Sequence, residues 1–155
     1  MKLRLLALGH KLPGWVAEGY AHYARRLPPE FELELVELKP EPRDRGRTVE
    51  QMLAAEALRA APSLRGWHVV ALDERGRTAD SAAFARQLGQ WRDRSLSVVF
   101  VIGSADGLAD SLKTNADVIM SLSPLTFPHP LARVVLAEQI YRATSLLQGH
   151  PYHRE

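Results

Sequence analysis

Residues able to do chemistry gather towards the C-terminal end. The last six positions, His150-Pro151-Tyr152-His153-Arg154-Glu155, bring together two imidazoles, a phenol, a guanidinium and a carboxylate. Chain ends are ordinarily frayed and tolerant of change, whereas this set suits gripping an anion or moving a proton. Upstream, the Pro-rich run Ser121-Leu122-Ser123-Pro124-Leu125-Thr126-Phe127-Pro128-His129-Pro130 leads into a long helical stretch. A second loop, Gly103-Ser104-Ala105-Asp106-Gly107, follows the most apolar run of the chain, where a backbone can approach a ligand closely. Glu138 and Arg142 stand four apart with the acid first, the favourable order for pairing along a helix. They share a sector with Leu131 and Val135, which puts the pair at least partly inside. The spacing leaves two readings open: a structural salt bridge, or an arginine that faces an active site.

Other chemistries fit less well. His150 and His153, with Glu155 beyond, have the residue types of a metal site. Pro151 spoils the helical geometry, however, and no further cluster completes the set, so no metal is expected. Ser123, His129 and an aspartate would supply a nucleophile triad, yet no Gly-x-Ser-x-Gly elbow is present. The first strand ends in a single Gly9 followed by His10-Lys11, not the spaced glycines of a dinucleotide site. His10, His22 and His68 read as strand-end or surface residues. Trp15, Trp67 and Trp91 read as core or interface residues, with Trp67, beside a turn, the first choice if one stacks on a base. The absence of cysteine excludes disulfides, thiolate zinc sites and a cysteine nucleophile.

These groups need a scaffold. At 155 residues the chain suits one domain, 1–155, with a real core. No run is long enough to span a membrane. The apolar start Met1–Leu8 is cut short by Gly9-His10-Lys11 before it could make a signal peptide. A net charge of +2 is compatible with an RNA partner without establishing one. Apolar runs at 3–8, 67–72, 96–102 and 118–122, and the apolar–acidic alternation at 31–38 with one face buried and one wet, read as strands, and 13–27, 48–61, 81–91, 109–115 and 130–147 as helices. The alternation argues for an α/β fold with a largely parallel sheet, whose ligands sit beyond the carboxyl ends of the strands. Those ends are Gly9-His10, Leu72-Asp73, Gly103-Ser104 and Leu122-Ser123. Pro40–Arg47, charged and breaker-rich, reads as a mobile loop. The last helix is apolar nearly all round, which predicts one side on the sheet and another on a second subunit.

Over its entire length the chain resembles the bacterial large-subunit rRNA pseudouridine N3-methyltransferases of the SPOUT class. The resemblance rests on the Met1-Lys2-Leu3 start with Gly9, on Val101-Ile102-Gly103, and on Leu122 to His129. It rests further on Arg133-Val134-Val135-Leu136-Ala137-Glu138-Gln139-Ile140-Tyr141-Arg142-Ala143 and the Tyr152-His153 end. It implies a SPOUT-type parallel sheet flanked by helices with a C-terminal trefoil knot, a cytoplasmic homodimer, and S-adenosylmethionine as methyl donor. The implied substrate is a pseudouridine of 23S rRNA in the assembled ribosome. By the resemblance, Leu72, Gly103 and the loop Leu122, Ser123, Pro124, Leu125, Thr126 and Phe127 hold the cofactor. Among the implied catalytic group, His153 is the first candidate base and His129 the second. Arg142 and Arg154 would stabilise an anion or contact phosphate, and Tyr152 would stack on the target base. Equally open is a tail that only completes the cofactor pocket. In the family the residue after Gly103 is usually a second glycine, and here it is Ser104. A positive φ there would cost serine about 1 kcal/mol. That departure is the one feature leaning towards the rival reading, a non-catalytic ribosome- or RNA-binding factor that has kept the fold.

Overall fold

The computed structural model describes residues 1–9, 12–43 and 46–154, the side chains of His153 and Arg154 excepted. Its sheet grows from strands that are apolar almost throughout. In β4 (Val98–Ile102) every residue is buried. Val98, Phe100 and Ile102 face one layer of helices, and Val99 and Val101 face the other. β1 (Lys2–Leu8) does the same, with Leu3 and Leu5 on one face and Leu6 and Leu8 on the opposite one. Strands covered on both faces read as continuous apolar runs, as seen here. With β2 (Glu32–Leu38), β3 (His68–Arg77) and β5 (Val118–Met120) they form a fully parallel sheet in the order β2-β1-β4-β3-β5.

One face is covered by α1 (Gly14–Ala24), α3 (Ser81–Asp93) and α5 (His129–Gln148), the other by α2 (Val49–Leu64) and α4 (Asp110–Asn115). Thr48 caps α2 through the Gln51 amide at 3.1 Å, and the Gln51 side chain accepts from the Thr48 amide at 3.0 Å, completing the expected capping box. The all-round apolar character of α5 is largely accounted for within one chain, because α5 lies between α1 and α3 as well as on the sheet. Val134 fits over Gly19 of α1 and Leu147 over Gly89 of α3. A methyl added at either glycine would come within 3.1 and 3.0 Å of those side chains. The expected second subunit is therefore not needed to explain that burial.

Two features aim the fold at one edge. β1 leads outward to β2 and β4 leads towards β5, so the chain diverges at Gly9 and Gly103, where a ligand crevice is expected. β3 also runs five residues past its expected end at Leu72. Leu72 and Arg77 both stand opposite Met120, with the intervening residues bulged out. At Gly76 the chain passes hard against β5: a Cβ there would sit 2.7 Å from the Met120 carbonyl carbon. Asp73-Glu74-Arg75-Gly76-Arg77 carries the charge and glycine of a turn, so no strand pattern announces it.

Candidate functional site

At the carboxyl edge of the sheet lies a cleft of about 1170 Å³. Leu72, Leu122 and Phe127 give it apolar walls, and Gly103 brings main chain to its surface. The glycine is required by space. A Cβ on Gly103 would stand 2.3 Å from the Gly107 carbonyl oxygen, because the loop doubles back at once through a Gly107 amide to Ser104 carbonyl bond of 2.9 Å. Gly107 takes a φ of 85° to close that turn. Among the described residues Ser95 is the one non-glycine with a positive φ, so Ser104 carries no left-handed strain.

The Pro-rich loop is shaped by its own hydroxyls. Ser121 Oγ donates to the Ser123 carbonyl at 2.8 Å, and Ser123 Oγ accepts from the Leu125 amide at 2.9 Å. Thr126 Oγ1 donates to Glu74 Oε2 at 2.7 Å, which ties this loop to the β3 extension. Asp73, at the same edge, accepts from the Arg75 amide at 2.8 Å and from Lys113 at 3.2 Å. Burial opposes its charge, but those two donors outweigh it and hold the carboxyl below the usual aspartate range.

His129 opens α5 beneath the cleft. Its Nδ1 lies 2.7 Å from the Gly103 carbonyl and its Nε2 lies 3.1 Å from an Arg133 Nη2. A carbonyl only accepts and a guanidinium only donates, so Nδ1 carries the proton and Nε2 receives one bond. Both nitrogens are thereby occupied in a neutral ring, an arrangement that braces Gly103 and leaves no free lone pair for a substrate proton. Arg133, 3 % exposed, is held in turn by Glu37 at 2.8 Å. Burial, and then the Arg133 charge, push the His129 pKa below its usual value of 6.5, against the pull of the Gly103 carbonyl and Glu37. The unfolded chain then binds the proton more readily, so stability from this group is complete above pH 6.5 and is lost as pH falls through the lower folded value. Thermal midpoints measured from pH 7.5 to 5 are expected to fall, and to fall less steeply in His129→Gln; equal slopes would remove His129 as the cause.

Arg142 and Glu138 pair at 2.6 Å and are largely buried, as their spacing predicted. Tyr152, in the short 3-10 turn Pro151–Arg154, donates its hydroxyl to the same Glu138 oxygen at 3.0 Å, and its ring lies 5.0 Å from the Arg142 guanidinium carbon. Burial, and then the Glu138 contact, raise its pKa well above the ordinary phenol value. This cluster stands nine residues along α5 from His129, about 14 Å of helix. Neither Tyr152 nor Arg142 lines the cleft of its own chain.

Of the residues expected to hold a cofactor, Leu72, Gly103, Leu122, Ser123, Leu125, Thr126 and Phe127 line the cleft, as His129 does, while Pro124 does not line it. The side chains of His153 and Arg154, and all of His10, lie outside the described residues. Trp67 sits away from the cleft, at the start of β3, beneath the Arg4 guanidinium at 4.0 Å. Among the described residues no group of three or more His, Cys, Asp or Glu is placed to hold a metal, and no helix is long and apolar enough to cross a membrane. Sequence reasoning missed Glu41, Arg43 and Lys113, and named Asp73 only as a strand end. Described residues of the stretch expected to be mobile make ion pairs. Glu41 accepts from Arg47 at 2.8 Å and pairs with Arg59, and Arg43 reaches Asp106 at 2.8 Å.

A family profile described as "Predicted SPOUT methyltransferase" matches residues 1–153. The chain belongs to this family. Among curated SPOUT relatives, "Ribosomal RNA large subunit methyltransferase H" of Burkholderia ambifaria is 50% identical over 155 residues, covering 99% of each chain. The protein of that name from Burkholderia multivorans matches equally well. Solved structures agree on the SPOUT fold. A probable methyltransferase from Bordetella pertussis superposes with a TM-score of 0.57 at 17% identity, covering 92% of this chain and 96% of that one. A probable methylase family protein from Haemophilus influenzae gives 0.59 at 11% identity, over 97% and 69%.

Proposed function

We propose that this SPOUT chain methylates N3 of a pseudouridine in 23S rRNA of the assembled ribosome, using S-adenosylmethionine, as a cytoplasmic homodimer. The observation that carries the reading is the 50% identity, over 99% of both chains, to proteins named as large-subunit rRNA methyltransferases. The cleft supports it. Apolar walls at Leu72, Leu122 and Phe127 suit an adenine ring, and a bare backbone at Gly103, where a Cβ would already collide, suits close approach by the nucleoside. When bound, S-adenosylmethionine supplies an activated methyl group, so the protein's work is to orient the acceptor and dispose of its proton.

In this reading His153 takes the N3 proton and Arg154 and Arg142 stabilise the imide anion, roles that rest on the family resemblance. Tyr152 stacks on the target base. Because the tail packs on its own α5 at Glu138, well along the helix from its own cleft, a second copy supplies the missing half of the site. A trefoil knot belongs to the same reading. It rests on the match to the SPOUT family over residues 1–153. Ser104, free of backbone strain and engaged in hydrogen bonds, gives no support to a non-catalytic factor.

The deciding experiment incubates the purified protein and S-adenosylmethionine with ribosomes from a strain deleted for the gene, followed by mass spectrometry of the 23S rRNA. A single methylated pseudouridine is expected on ribosomes and not on free rRNA. A methyl group on another nucleotide, or none, would overturn the assignment.

A further inference from the structure

Glu56 in the middle of α2 is 1 % exposed, and none of its three partners is a neighbour within its own helix. One carboxylate oxygen accepts from Ser104 Oγ at 2.7 Å, and the other from the Glu41 amide at 2.8 Å and from Arg43 Nη1 at 3.3 Å. Arg43 uses every nitrogen of its guanidinium. Nη2 donates to Ser104 Oγ at 2.7 Å, Nε to Asp106 at 2.8 Å, and Nη1 to the Glu41 carbonyl at 2.6 Å as well as to Glu56. Ser104 Oγ thus gives its proton to a buried carboxylate and receives one from a cation. The three side chains bolt two segments together, Pro40–Arg43 and Gly103–Gly107, and both line the cleft.

We propose that Ser104 and Arg43 are positioning residues for the cofactor, holding the cleft wall formed by Pro40–Arg43 and Gly103–Gly107 in its binding shape before the ligand arrives. The proposal rests on the reading of the cleft as an S-adenosylmethionine site. A wall fixed in advance spares the ligand the cost of ordering it, so affinity depends on the clasp although neither hydroxyl nor guanidinium need touch the ligand.

Isothermal titration of S-adenosylmethionine and S-adenosylhomocysteine into wild type, Ser104→Ala, Arg43→Lys and the double variant tests this. Lysine keeps the charge of Arg43 but cannot reproduce a planar fork with four acceptors. Each single variant is expected to bind about tenfold more weakly, the scale of one charge-assisted hydrogen bond. The double variant is expected to be no weaker than either single one, because the links act as one unit. Hydrogen exchange of the 103–107 amides in the ligand-free protein is expected to rise in all three. Wild-type affinity in the single variants, or additive losses in the double one, would overturn the clasp. A fall in thermal midpoint without any change in affinity would overturn it too, leaving a purely structural role. If wild type itself binds neither ligand, the cofactor reading of the cleft has failed, a result distinct from the others.

Discussion

Replacing Gly103 by alanine is expected to abolish measurable binding of S-adenosylmethionine and to lower the thermal midpoint. The added methyl would lie 2.3 Å from the Gly107 oxygen and 2.5 Å from its carbonyl carbon, both backbone atoms of a closed turn. Neither can swing aside as a side chain would. Overpacking of this kind costs about 1–3 kcal/mol or more, and the upper figure alone is about a hundredfold in affinity if the turn moves into the cleft. His129 brings the strain to a second element, since it grips the Gly103 carbonyl from below. Isothermal titration with circular dichroism checks the result. A folded Gly103→Ala protein that binds with wild-type affinity would remove this loop from the cofactor site.

Deleting Tyr152 to Glu155 is expected to reduce methyl transfer to ribosomes by about 10²–10⁴-fold, the usual contribution of a general base, with the oligomeric state unchanged by light scattering. The same protein is expected to bind S-adenosylmethionine as the full chain does, because Tyr152 packs at Glu138 and does not line the cleft. Loss of binding together with turnover would instead make the tail a wall of the second copy's pocket. Undiminished turnover would take the tail out of the reaction altogether.

The strands of the sheet were legible because they obey one rule. A run such as Val98–Ile102 has no polar position to face water, so it belongs between two layers. The cleft's position followed from the strand ends, and Leu72, Gly103 and the Ser121–Phe127 loop converge there as expected. The charged part of the site was not legible. Glu56 lies in a helix whose polar residues mostly face solvent, and only the fold brings to it Arg43, 13 positions away, and Ser104, 48 positions away. The β3 extension was hidden for a related reason: charged residues and a glycine bulge out after Leu72, and only Arg77 regains a place opposite Met120 of β5. Trp67 shows the converse, an aromatic residue beside a turn whose partner proved to be Arg4.

The place of β5 and α5 in the chain has a consequence for how this protein comes into being. β3 acquires its outer neighbour only after α3, β4 and α4 have intervened, and the loop at 121–130 and α5 come later still. Parallel pairings separated so far along the chain form slowly, and domains are assembled as their residues emerge from synthesis. The cleft lacks one wall and its floor until that final segment is free to pack. On the proposed reading of the cleft, a growing chain has no cofactor site to fill until that segment has packed.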